Sequence, residues 1–125
     1  MRMLAGLTTL ALVAALTTGC NSEPEQTVAI TSPAPGTAVD VPFQVTVEAS
    51  VPLGSPTDGL HHVHIWFGDE LESYLVVEEN VVEINYAPDG AHEMHVSLRN
   101  ADHSSAGVES SIQLTISGGT GPGRN

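Results

Sequence analysis

From residue 27 onward the chain is cut into short runs in which apolar side chains recur at every second position, with proline and glycine standing between the runs. A period of two sends alternate side chains to opposite faces, the signature of a strand with one face buried. Strands are expected over 27–31, 43–49, the histidine-rich run ending at Gly68-Asp69, 73–77, 81–86, 92–98 and 109–117. The inward residues would be Phe43, Val45, Val47 and Ala49, then Val63, Ile65 and Phe67, then Met94, Val96 and Leu98, and finally Ile112, Leu114 and Ile116. Ser32 to Gly36 and Pro88-Asp89-Gly90 carry turn chemistry, 51–59 and 100–107 read as loops, and no segment after residue 26 has a helical period. About seven short, evenly spaced strands predict an all-β fold, an immunoglobulin-like antiparallel β-sandwich.

Within that pattern one run stands out. Gly59 to Asp69 reads Gly-Leu-His-His-Val-His-Ile-Trp-Phe-Gly-Asp and holds three of the six histidines. Alternation places His61 with Val63, Ile65 and Phe67 at the rim of the core face, and His62 with His64 and Trp66 on the opposite, outer face. The imidazoles of His62 and His64 are then roughly 7 Å apart by strand rise, close enough to chelate one ion when their rotamers converge. In a seven-stranded sandwich the third and sixth strands are antiparallel neighbours, which brings His95 onto the same outer face and His103 to its end. His62, His64, His103 and His95 are therefore the candidate ligands, suited to Cu(II), Zn(II) or Ni(II). Asp102 is placed to orient an imidazole. His92 faces the core side, where a buried hydrogen bond is expected of it. Met94 belongs to the core rather than to a copper thioether.

Residues 1–19 combine Arg2, an apolar run from Leu4 to Leu16 and a small-residue stretch, which describes a secretory signal. Its apolar core falls short of the roughly 20 residues a permanent span needs. The single cysteine, Cys20, follows immediately, and this arrangement resembles the bacterial lipoprotein signal, although Thr17 stands where Leu is usual. The resemblance implies acylation of Cys20. It further implies an extracytoplasmic protein anchored to the membrane of a bacterial envelope by acyl chains, without a spanning helix. Composition and pattern divide the rest into a polar tether over 20–26, a domain over 27–117 and a glycine-rich tail over 118–125 expected to be disordered.

A formal net charge of −12 and the absence of lysine argue against nucleic acid or any polyanion as a ligand, and favour cations. They also leave no phosphate-binding Gly-Lys-Ser/Thr loop. No nucleophile elbow surrounds the serines near His103, and Glu78-Glu79 sits in an expected turn as a solvated pair.

The runs Gly59…His62-Val63-His64-Ile65-Trp66…Asp69, Gly90-Ala91-His92-Glu93-Met94 and Asp102-His103-Ser104-Ser105 together resemble a set of poorly characterised bacterial envelope proteins with an immunoglobulin-like domain. The chain departs from their pattern at Met94, where Leu is usual, and at Ser105, where Pro is usual. The likeness covers about 27–117 and implies His62, His64 and His103 as a shared polar set, with no activity to carry over. The His62-Val63-His64…Phe67-Gly68-Asp69 run also looks like the copper-ligand strand of copper/zinc superoxide dismutases. The spacing differs by one residue, however, and the chain lacks the disulfide cysteines, a bridging-histidine zinc loop and an arginine at the mouth of a copper site, Arg124 lying in the tail. The expectation is thus a binding domain for Cu or Zn without turnover. A structural or interaction module with an envelope protein partner is the alternative, and a superoxide-dismutase-like enzyme comes third.

Overall fold

The computed structural model describes residues 26–119. The signal over 1–19, Cys20, the tether before Gln26 and the tail beyond Gly119 lie outside the described residues. Among the described residues eight strands form two sheets. β1 (Val28–Ser32), β3 (Phe43–Ala49) and β6 (Val81–Ile84) make a three-stranded sheet in the order β1-β3-β6. β2 (Ala38–Asp40), β4 (His62–Phe67), β5 (Leu75–Val77), β7 (Gly90–Arg99) and β8 (Ser105–Ser117) make a five-stranded sheet in the order β2-β8-β7-β4-β5. Among the described residues a single 3-10 turn, Pro56–Asp58, interrupts the β structure; Ser55 caps it and Gly59, at φ 75°, ends it.

The period-two runs become strands because both sheets bury one face against the other. Val45, Val47, Val63, Met94, Val96, Leu98 and Leu114 are fully buried, and Ile65, Ile84 and Ile116 nearly so. Each contributes about 1.5–3 kcal/mol on leaving water. Ala49 and Phe67, expected inside, are only partly covered.

Three corrections concern strand limits and pairing. β2 is an additional strand, and it pairs in parallel with β8 through Ala38–Thr115, Val39–Ile116 and Asp40–Ser117, so the sandwich is not wholly antiparallel. β8 begins at Ser105, inside the expected 100–107 loop, and β7 starts two residues earlier than its alternation predicts. β5 and β6 are shorter than expected, which leaves brief free edges on the same side of both sheets, a common defence against edge-to-edge pairing.

Candidate metal centre

β4 supplies two candidate ligands and the β7–β8 hairpin a third. β4 and β7 are antiparallel, with His62 opposite Arg99, His64 opposite Ser97 and Trp66 opposite His95. His103 lies in the connection between β7 and β8. There the His103 N–H donates to the Asn100 carbonyl (2.9 Å) and the Asn100 N–H to the Ser104 carbonyl (2.9 Å). This is a three-residue hairpin loop, a turn followed by one left-handed residue. The left-handed residue is normally glycine; here it is His103, at φ 70°. A non-glycine side chain in that region carries local strain of about 1 kcal/mol or more, and such residues cluster at functional sites. A register shift between Ser97 and Arg99 further bends the hairpin where it meets β4.

These elements converge three imidazole nitrogens. His62 Nε2 lies 3.0 Å from His64 Nε2 and 3.0 Å from His103 Nδ1, and His64 Nε2 lies 3.3 Å from His103 Nδ1. With metal–nitrogen bonds of about 2.0–2.1 Å, such spacings subtend angles of roughly 95–110° at one ion, three corners of a tetrahedron with the fourth open. An all-imidazole set suits Zn(II) and Cu(II) better than Mg(II) or Ca(II), which prefer oxygen.

The expectation of an open outer face is corrected. His62 is 0 % exposed and His64 3 %, while His103 remains exposed. Tyr74 stacks flat on His64 (centroids 3.9 Å, 8° between planes), and His103 meets His62 edge-on at 4.5 Å. Burial, followed by the Arg99 guanidinium and the neighbouring imidazoles, pushes His64 down to about 4. His62 is also lowered, first by burial and then by His103, Arg99 and His61. At neutral pH both rings are therefore uncharged and can offer lone pairs.

His95 does not join the cluster: opposite Trp66, it stacks on the indole at 5.1 Å and 11°. Asp102, expected to orient an imidazole, instead fixes the loop. Its carboxylate accepts from the Ser104 N–H (3.0 Å) and, at short range, from the Ser104 hydroxyl, and these bonds hold it below the usual carboxylate range. His61 is a rim residue whose Nε2 lies 3.5 Å from Gln26 Nε2, and His92 Nε2 donates to the Asp89 carbonyl at 2.9 Å.

Three further residues of the site escaped the sequence reading. Arg99, read in the sequence only for its charge, lies beside the histidines: its Nη1 donates to the His103 carbonyl at 3.3 Å. Ser97 is fully buried opposite His64. Tyr74 stacks on His64. Strand register was the one signal able to find the first two, since both are cross-strand partners of the paired histidines. Among the described residues, the buried side-chain polar atoms without a hydrogen-bond partner are His62 Nδ1, Ser97 Oγ and Arg99 Nε, all in this one patch. Such orphans are costly and call for an unseen polar partner or a functional reason.

No family model matches the sequence, and no curated protein is significantly similar to it. Among solved structures, the endo-beta-1,4-mannanase from Thermotoga petrophila superposes with a TM-score of 0.51 at 17 % identity, over 78 % of this chain and 21 % of that one. The fibronectin(III)-like modules of Clostridium thermocellum CbhA superpose with a TM-score of 0.51 at 18 % identity, over 78 % of this chain and 47 % of that one. At such identities the likeness speaks to the backbone alone: the chain folds as an immunoglobulin-like β-sandwich of the kind that fibronectin modules share.

Proposed function

We propose that this protein is a lipid-anchored, extracytoplasmic immunoglobulin-like domain that binds one Zn(II) or Cu(II) ion through His62, His64 and His103. The observation that carries this reading is the triangle of imidazole nitrogens, with sides of 3.0, 3.0 and 3.3 Å, drawn from two separate segments. The anchoring half rests on the sequence, where Cys20 follows a signal-like segment, and on the resemblance to envelope proteins sharing the His62, His64 and His103 pattern. The role is binding, storage or delivery of the ion rather than turnover.

Isothermal titration of the full chain with Zn(II) and Cu(II) tests the metal site, and metabolic labelling with a fatty acid tests Cys20. One ion per chain is expected, with binding lost in His62→Ala and His64→Ala; equal binding by those variants would refute the site. Copper-loaded protein is expected to remove superoxide no faster than a copper–imidazole control.

A second reading, an interaction module for an envelope protein, is favoured by a cleft of about 640 Å³ at the β5/β6 side, lined in part by Phe67, Tyr74, Leu75, Ile84 and Tyr86. Leu71 and Tyr86 expose 59 % and 77 % of their surface nearby. Tyr86→Asp should weaken such a partner's binding, an effect separable from metal binding.

A further inference from the structure

Arg99 is the one arginine among the described residues, in a chain with no lysine and a net charge of −12. A surface so rich in carboxylates makes pairing easy, yet among the described residues Arg99 forms no ion pair. Its Nη1 donates to the His103 carbonyl, and its buried Nε has no acceptor among the described residues. A guanidinium offers five N–H donors and is always charged, so this leaves donor capacity and a full positive charge beside the histidine cluster. Register fixes it there, because Arg99 is the direct cross-strand partner of His62.

The ligand set compounds the imbalance. His62, His64 and His103 are neutral when they ligate, and no carboxylate belongs to the cluster. The nearest acid in sequence, Asp102, spends its carboxylate on Ser104. A divalent ion held there would keep its full charge of two, with a third positive charge from Arg99 close by. Cation beside cation is unfavourable at low dielectric unless an anion lies between or against them. The three-nitrogen geometry leaves a coordination position for it.

We propose that the metal centre takes a small anion as its fourth ligand, of carboxylate or inorganic monoanion type, bound both to the ion and to the Arg99 guanidinium. This rests on the metal-binding reading and adds the chemistry of the group that completes the site. Small size follows from access: His62 and His64 are almost wholly buried and Tyr74 covers the His64 ring, so His103 forms the exposed flank. A small monoanion such as formate can bridge the two cations, one oxygen reaching the metal while the other accepts from the guanidinium N–H groups.

The test uses the full chain loaded with one equivalent of Cu(II), with bound copper measured before each titration. Azide and formate are the probes, followed by visible absorption and copper paramagnetic resonance, in wild type, Arg99→Met and Arg99→Lys. The wild type is expected to show a saturable spectral change with each probe. Anion affinity should fall about tenfold or more in Arg99→Met and recover in part in Arg99→Lys, the scale of losing a charge-assisted hydrogen bond. If Arg99→Met fails to fold, the wild type and Arg99→Lys decide by themselves, since a point charge should hold formate less well than the guanidinium. Copper bound without any anion-dependent change, or equal anion affinity in all three proteins, would overturn the anion site while leaving the metal site standing. A wild type that takes up no copper would overturn both.

Discussion

β4 presents two faces to two kinds of cover, and the contrast between them separates burial that satisfies its groups from burial that does not. Inward, Val63 and Ile65 lie against the second sheet in an apolar, fully packed layer. Outward, His62 and His64 are just as buried, but a hairpin loop, a tyrosine ring and an arginine do the covering, and the atoms beneath include unsatisfied donors and acceptors. Burial on the first face stabilises the fold. Burial on the second strips water from groups that then want another partner. Equal exposure values thus conceal opposite energetics one residue apart.

The largest expected effects set the two faces directly against each other. Ile65→Ala should destabilise the metal-free domain by about 2–5 kcal/mol in urea unfolding. His64→Ala, its neighbour, should cost much less in the same experiment while lowering Zn(II) affinity at least a hundredfold, on the order of 3 kcal/mol of binding. If His64→Ala proves as destabilising as Ile65→Ala without metal, the outer face is ordinary core and the comparison collapses.

A finer cut comes from His103→Gly. Glycine accepts the left-handed backbone freely, so metal-free stability should hold or rise, by no more than about 1 kcal/mol, while Zn(II) affinity falls tenfold or more. Opposite signs for the two measurements would show that the loop strain serves the ligand.

The pH dependence sharpens the same point. His64 is held near 4 in the folded protein, below its ordinary value of 6.5. Between those two values the unfolded chain binds more protons than the folded one, so stability rises with pH across the window and is lost as pH falls through it. Urea midpoints of the metal-free protein should therefore decline on acidification from 6.5 toward 4, and the decline should flatten in His64→Gln. The smallest effect belongs to His95→Ala, which removes the ring on Trp66. It should cost about 0.5–1.5 kcal/mol of stability and leave Zn(II) affinity within about twofold.

The inner face was legible in the sequence because alternation is a local signal: the runs containing Val45, Val63, Val96 and Leu114 announce it unaided. The outer face was only half legible. Alternation says that His62 and His64 share a side but cannot say whether a loop lies over it, and so it read as open. That Arg99 and Ser97 stand opposite them depends on register between strands more than thirty residues apart. β2 went unread for a related reason: three residues after a Pro-Gly turn carry no period of their own, and their conformation comes from parallel pairing with β8. Tyr74 lies in a segment whose contact with His64 has no sequence spacing to betray it.

The hairpin that bears His103 would give a bound ion one shielded flank and one open to water. Two imidazoles ride on a strand locked between neighbours, whereas the third hangs from a tight, exposed turn. Rotation of that one side chain would open the site without disturbing a single backbone bond of the sheet, so an ion held here could be handed on quickly even if it were held firmly.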